Sequence, residues 1–287
     1  MGFRKLLLAA MFIGTSTLAM AQGTYTQIDY PGAIQTFVAG VNKFGDLSGW
    51  YLDEHNLSHG FLLSKGDYVP VNYPGSRETL LHGMNDKGQV TGYTGLTGFV
   101  YDATAGSFTD VVYPGAESTN PICINNQGLV AGNFTYSSTG AGTAFELSGS
   151  NYTEIKPPGA DQSYAEGVDS RGDVVGFYFT INDLEQNFSF NQGTYKPLRI
   201  PGVIYPEVNG TDPMGNVLVG QYSASEGGGT LGFLYQNLTL QTLQFPTGIF
   251  TSAEAVSSTG EVVGAFADQE GNLHGFTWTP SSGEASK

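Results

Sequence analysis

Cysteine is nearly missing from this chain. Cys123 is the single one among 287 residues, so no internal disulfide is available and the fold has to rest on its apolar core. The length permits that, because a domain of this size buries on the order of 75% of its unfolded surface. Basic side chains are also scarce, 11 Lys and Arg against 26 Asp and Glu. Affinity for nucleic acid comes largely from Lys and Arg displacing phosphate counterions, so a net charge of −15 argues against a nucleic-acid partner. Helical periodicity is absent throughout, and with it the amphipathic helices of α and α/β folds. Catalytic signatures are missing too. There is no Gly-x-Ser-x-Gly and no His-Glu-x-x-His, and His55, His59, His82 and His274 are scattered. The glycine-rich run at 227–232 lies between two expected strands with no helix after it, which disqualifies it as a dinucleotide fingerprint.

One long apolar run exists, at residues 6–14, preceded by Arg4 and Lys5 and followed by Ala19, Met20 and Ala21. Positive charge, a short apolar stretch and a small-x-small site predict a secretory signal over residues 1–21. The run falls short of the roughly 20 residues that span a bilayer. The expected product is an exported monomer, secreted, periplasmic or on the cell surface, with no membrane span after signal removal and one domain over 22–287. Loss of Arg4 and Lys5 leaves nine basic side chains against 26 acidic ones, a net of −17.

Repetition dominates the remainder. Pro-Gly steps fall at Pro31, Pro74, Pro114, Pro158 and Pro201, with Pro246-Thr247-Gly248 as a stretched sixth copy. Each copy carries a turn with Asn, Asp or Ser first and Gly fourth, at 42–45, 85–88, 125–128, 169–172, 212–215 and 257–260. This is the type I turn preference, and it marks hairpins. An alternating strand follows, with a glycine near its middle: Gly49, Gly92, Gly132, Gly176, Gly220 and Gly264. A glycine inside a strand signals close backbone approach, here expected from the adjacent copy. The third strand repeats Phe61, Phe99, Phe145, Phe188, Phe233 and Phe276 as packing aromatics. Cys123 occupies a position held elsewhere by Gly or Ala, the place of a small buried thiol rather than a nucleophile.

Four strands per copy and six copies predict an all-β, six-bladed propeller of antiparallel blades. The last copy stops near Pro280 without a fourth strand, while residues 25–30 form an unpaired fourth-type strand at the other end. Docking one on the other closes the ring and removes the edges of an open array.

His59-Gly60-Phe61 and His274-Gly275-Phe276, with Gly40-Val41-Asn42 and Gly83-Met84-Asn85, resemble the bacterial extracellular repeat proteins named after a His-Ala-Phe tripeptide. The resemblance covers residues 25 to 280, with Gly as the middle residue and other tripeptides in the remaining copies. It implies export from a bacterial cell and brings no settled activity. The tripeptide histidines are read as structural.

Two groups of residues are candidates for function. Loops between second and third strands, together with the Pro-Gly crossovers, gather at one end, which holds Asp53, Glu54, Glu78, Glu117, Asp161, Asp183, Glu185, Glu226, Asp268 and Glu270 against Arg77. Variable loops on a rigid scaffold commonly carry binding. Asp53, Glu54, Asp183 and Glu185 are therefore expected ligand-binding residues, and Asp268 with Glu270 a possible calcium pair, since hard cations take oxygen ligands. Along the innermost strands, Ala39, His82, Ile122, Glu166, Asn209 and Glu254 precede the recurring small residue. Polar side chains beside a propeller axis have no structural need, which makes Asn209 a ligand-binding candidate and His82, Glu166 and Glu254 catalytic candidates. The expected function is binding of a carbohydrate or another extracellular protein on the acidic loop end, the alternative a carbohydrate-active hydrolase or lyase working in the axial pocket.

Overall fold

A computed structural model describes residues 20–137, 140–182, 184–225 and 228–281. Residues 1–19 of the expected signal, together with Asp183 and Glu226, lie outside the described residues. Every regular element among the described residues is a strand, and six four-stranded antiparallel sheets form the blades of a propeller. The amino-terminal strand is β1 (Gly23–Ile28). Blade 1 comprises β2 (Gln35–Val41), β3 (Leu47–Leu52), β4 (Ser58–Ser64) and β5 (Asp67–Val71). Blade 2 comprises β6 (Leu80–Met84), β7 (Gln89–Tyr93), β8 (Gly98–Asp102) and β9 (Ser107–Val111). Blade 3 comprises β10 (Ser118–Ile124), β11 (Val130–Thr135), β12 (Thr143–Ser148) and β13 (Asn151–Ile155). Blade 4 comprises β14 (Ala160–Val168), β15 (Val174–Thr180), β16 (Glu185–Asn191) and β17 (Thr194–Leu198). Blade 5 comprises β18 (Ile204–Thr211), β19 (Val217–Ser223), β20 (Thr230–Gln236) and β21 (Thr239–Leu243). Blade 6 takes β22 (Phe250–Val256), β23 (Val262–Ala267) and β24 (Leu273–Pro280), and β1 completes it.

The closure is antiparallel, running from Gly23 opposite Pro280 to Ile28 opposite Gly275. The first and last strands of the described residues therefore share one sheet, and none of the six sheets has fewer than four strands. The Tyr25 hydroxyl extends the join by accepting a hydrogen bond from the Gln244 amide at 3.0 Å.

Between blades the core falls into six apolar clusters, each uniting neighbouring sheets. The six third-strand phenylalanines are at most 1% exposed. Full burial of one such side chain stabilises by about 1.5–3 kcal/mol. The turns hold as expected: their fourth-position glycines take φ between 69° and 85°. Asn42 illustrates the first position, where Oδ1 accepts from the amides of Phe44 and Asp46.

The crossovers contain a device that the sequence reading missed. Thr36, Thr79, Thr119 and Thr251 each accept, through Oγ1, a hydrogen bond from the amide six residues earlier, at 2.9–3.0 Å. The signal was present as a threonine five residues after the crossover proline.

The mid-strand glycines need correction. A Cβ at Gly49, Gly132, Gly176, Gly220 or Gly264 falls on the carbonyl oxygen of Phe37, Asn120, Tyr164, Glu207 or Ser252. These carbonyls belong to the innermost strand of the same blade, not to the adjacent copy. The cause is a β-bulge that recurs in every blade, bracketed by Val38/Gly40, Leu81/Met84, Pro121/Cys123, Ala165/Gly167, Val208/Gly210 and Ala253/Ala255. A bulge inserts an extra residue into one strand and re-aims its side chain.

Candidate functional site: an axial cavity

The bulges position the site. In each blade the bulged stretch holds the residue that precedes the recurring small one, and Ala39, His82, Ile122, Glu166, Asn209 and Glu254 converge on one axial cavity of about 150 Å³. Each is followed by a small residue, such as Gly40, Gly83 or Gly210, whose missing Cβ makes room for the next blade's backbone. The apolar neighbours on the other side, among them Val38, Leu81 and Val208, are fully buried.

The cavity opens at the turn end. Its mouth is ringed by the second residue of every turn: Lys43, Asp86, Asn126, Ser170, Pro213 and Ser258. Part of this rim is hydrogen-bonded from blade to blade. The Asp86 amide donates to Asn126 Oδ1 at 2.9 Å, Asn126 Nδ2 donates back to Asp86 Oδ2 at 2.7 Å, and Lys43 Nζ lies 3.8 Å from Asp86. These rim residues escaped the sequence reading, although their fixed place in a repeating turn was the available signal.

His82 stacks on Tyr93 with ring centroids 5.2 Å apart, and its Nε2 is buried without a hydrogen-bond partner. Burial drives its pKa down to about 4, so the ring is neutral at pH 7. Glu166 is pushed well above the usual carboxylate range, by burial first and then by the charges of Glu254 and Glu207. Glu254 rises to about 7, again mainly through burial, against the opposing hydrogen bond from the Ser252 hydroxyl. Asn209 Nδ2 donates to Ser252 Oγ at 3.1 Å and to the Ala253 carbonyl at 3.2 Å. The cavity thus holds two carboxyls of raised pKa, a neutral imidazole with a free ring nitrogen and a fixed amide. Such a set can donate and accept hydrogen bonds to a neutral polar molecule, or exchange a proton with it.

The sequence-derived candidates divide into two places. His82, Glu166, Glu254 and Asn209 come together at the axis. Asp53 and Glu54 lie in the β3–β4 loop of blade 1, and Glu185 begins β16 at the opposite end from the cavity mouth, so Asn209 and these carboxylates do not form one site. Asp53 is engaged by its own loop: Oδ1 accepts from the amides of His55 and Leu57, and Oδ2 lies 3.1 Å from His59 Nε2. Those contacts, the Leu57 amide foremost, hold its pKa below the ordinary value. Asp268 is occupied likewise, by the Glu270 and Asn272 amides, the Asn272 side chain and His274. The hydrogen bonds of Asp268, that of the Asn272 side chain foremost, lower its pKa. Among the described residues no group of three or more His, Cys, Asp or Glu side chains is arranged to hold a metal ion. Cys123 is buried, with its thiol pKa raised by burial.

Glu185 behaves differently. Burial and the charge of Glu207 lift it to about 7, and its Oε1 is buried without a partner. Glu207 links both regions, since its charge acts on Glu166, Glu254 and Glu185 alike. The sequence reading passed over Glu207, two residues before Asn209 in β18. The basic count at the loop end also needs correction. Fourth strands finish there, so Lys156 and Arg199, in the crossovers after β13 and β17, join Arg77.

No protein-family model matches the chain, and no curated protein matches it. Solved structures do. Regucalcin, a calcium-binding protein of Agrobacterium tumefaciens, superposes with a TM-score of 0.55 at 12% identity, covering 91% of this chain and 95% of that one. A gluconolactonase of Xanthomonas campestris gives 0.53 at 11% identity, covering 91% and 97%. TolB of Acinetobacter baumannii gives 0.54 at 11% identity, covering 82% of this chain and 64% of that one. Likeness at this level of identity speaks for the propeller fold, and the fold hosts binding proteins and enzymes alike.

Proposed function

We propose that this chain is an exported binding propeller of the His-Ala-Phe repeat type that takes one small hydroxylated ligand, of the size of a single sugar ring, in its axial cavity. The observation that carries the reading is the unpartnered Nε2 of His82 beside two buried carboxyls, Glu166 and Glu254. A buried polar group without a partner costs about 1–3 kcal/mol, so a fold that only needed to be stable would have filled the His82 position with an apolar side chain. A cavity of about 150 Å³ matches a ring-sized molecule. Hydroxyl groups, which donate and accept, suit a lining that does both.

A thermal-shift series on the mature protein with monosaccharides, sugar acids and calcium tests this. A ligand at about 100 times its Kd stabilises by about 2.7 kcal/mol. At least one hydroxylated ring is expected to raise the Tm of the native chain and to lose that effect in Glu166→Gln and Asn209→Ala. A series in which no hydroxylated compound shifts the Tm overturns the reading.

A second reading is favoured by one specific observation. Glu254, at about 7, and Glu166, raised well above the ordinary carboxylate value by burial and by the charges of Glu254 and Glu207, face one pocket, and two carboxyls of raised pKa in one pocket are the material of a base and an acid. The alternative is hydrolysis or elimination at a terminal sugar unit, with Glu254 as base and Glu166 as acid. Turnover of aryl glycosides or uronic acid derivatives that disappears in Glu254→Gln supports the enzyme. Ligand binding without turnover supports the binding protein.

A further inference from the structure

The end of the propeller opposite the cavity mouth carries an asymmetry that the cavity does not explain. The third residue after each crossover proline is Ile34, Arg77, Glu117, Asp161, Ile204 and Ile249 in chain order. Blades 5, 6 and 1 are consecutive around the ring, so the three isoleucines form one arc and the three charged residues the complementary one. Ile34, Ile204 and Ile249 are 47%, 41% and 50% exposed. Tyr205, next to Ile204, is 58% exposed and held at a φ of 49°, in the left-handed region that a bulky residue normally avoids.

Repeat-equivalent positions in consecutive blades fall in one sector of this end, so the three exposed isoleucines share a sector instead of being spread around the ring. Its electrostatic setting is one-sided. Asp29, Asp53, Glu54, Asp268 and Glu270 sit in the crossovers and loops of blades 6 and 1, and residues 29–34, 53–57, 244–249 and 268–272 contain no Lys or Arg. Arg199, in the crossover from blade 4 to blade 5, stands at the far edge of the arc.

We propose that this arc is a docking surface for a basic, apolar segment of another polypeptide, whose apolar side chains cover Ile204, Ile249 and Ile34 while its Lys or Arg residues face the carboxylates of blades 6 and 1. Charge decides the occupant. A second copy of this chain would bring the same carboxylates against themselves, and an anionic lipid surface would be repelled in the same way. A partner with apolar anchors and a positive rim meets both halves of the surface at once. The site is separate from the axial cavity and does not depend on what that cavity holds.

Fluorescence anisotropy with short labelled peptides tests the proposal on the mature protein. Three probes are needed: alternating Lys and Leu, alternating Lys and Ser, and alternating Glu and Leu. The Lys/Leu peptide is expected to bind at least about tenfold more tightly than the Lys/Ser peptide, with the Glu/Leu peptide unbound. The preference for Leu is expected to vanish in the double variant Ile34→Ser with Ile249→Ser, and to persist in Phe44→Ser with Leu238→Ser, whose exposed side chains lie at the turn end. Thermal melts establish that each variant is folded. Equal binding of the Lys/Leu and Lys/Ser peptides reduces the surface to charge alone and overturns the proposal, as does an unchanged preference in the isoleucine variant. Sedimentation as a dimer that the isoleucine variant dissolves assigns the arc to a second copy and overturns it as well.

Discussion

His274 Nδ1 lies 2.7 Å from Oδ1 of Asp29, joining residues 245 apart in the chain at the seam of the ring. Nε2 of the same ring reaches Asp268 Oδ2 at 3.3 Å, so one imidazole ties the closing strand β1 to the β23–β24 loop. Blade 1 repeats the arrangement with a neutral partner: His59 contacts Asp53 at 3.1 Å and Asn72 at 3.0 Å. The tripeptide histidine is thus a clasp between a loop and the end of a fourth strand. In blade 6 that fourth strand comes from the opposite end of the chain, which makes the clasp part of the closure.

The seam is expected to weaken as pH rises. Burial of the His274 ring opposes its charged form, but Asp29 and Asp268 together outweigh that and raise its pKa. A group whose pKa is raised on folding stabilises fully below its unfolded value, near 6.5, and loses the contribution as pH climbs through the folded value. His274→Gln is expected to lower the Tm at pH 5.5 by about 2–4 °C, corresponding to about 1 kcal/mol for a partly exposed pair. The gap between wild type and variant narrows toward pH 9. A gap independent of pH between 5.5 and 9 assigns the histidine a purely packing role.

The blades and the ring closure were legible because repetition exposes both. Six aligned copies reveal the turn, the buried phenylalanine and the missing fourth strand, and residues 25–30 were the segment expected to supply it, a strand that the structure places two residues earlier, at Gly23–Ile28. The polar axial residues were legible because Ala39, Ile122 and the apolar neighbours around them make His82, Glu166, Asn209 and Glu254 stand out. The bulge was not, since a sequence carries no strand register and an extra residue in a short strand leaves no periodic mark. The loop-capping bonds of Asp53 and Asp268 were not legible either, because a carboxylate that caps its own loop has the same composition as one that does not.

Gly264 tests the bulge. A Cβ there collides with the Ser252 carbonyl oxygen and presses on the Ala253 Cα at 3.1 Å, both of them backbone. No side-chain rotation relieves that contact, so Gly264→Ala is expected to destabilise by about 2–3 kcal/mol, or roughly 5–10 °C in Tm. Gly232→Ala, whose nearest neighbours stand at 3.2 Å, serves as the comparison and is expected to lose less than half as much. Equal losses in calorimetry would remove the special place given to the glycine opposite the bulge.

Glu254 predicts an alkaline weakness at the axis. Its folded pKa of about 7 exceeds the model-peptide value of 4.5, so the folded chain holds a proton that the unfolded chain releases. Stability therefore falls as pH rises from about 4.5 to 7 and levels off beyond, by at most about 3 kcal/mol. Glu254→Gln keeps the shape and hydrogen-bonding capacity without the ionisation. Urea unfolding at pH 5 and pH 8 is expected to show a smaller drop for the variant than for wild type, with the two converging at pH 5. A variant less stable than wild type at pH 8 means that the carboxylate is held by contacts stronger than the burial it suffers.

The last prediction concerns how the blades hold the cavity mouth. Asn125 is 7% exposed and acts in two directions: Oδ1 accepts from the amides of Gln127 and Leu129 at 3.0 Å, and Nδ2 donates to the Asp169 carbonyl of the next blade at 2.8 Å. Asn85 hands the same bond to Asn125 itself, so a chain of side-chain amides links blades 2, 3 and 4 just below the rim. The chain stops at Asp169, which has no donor to pass on and pairs with Arg171 instead. Asn125→Ala leaves the amides of Gln127 and Leu129 and the carbonyl of the buried Asp169 without their partner and is expected to cost about 2–4 kcal/mol. Asn125→Asp restores the acceptor for both amides but not the bond to blade 4, so its loss should be intermediate. Because Asn126 and Ser170 at the mouth follow directly on Asn125 and Asp169, both variants are expected to speed hydrogen exchange at Gln127 and Leu129, the alanine variant more. If aspartate costs as much as alanine, the contact between blades carries the stability; if it costs nothing, the turn alone does, and the amide chain is incidental.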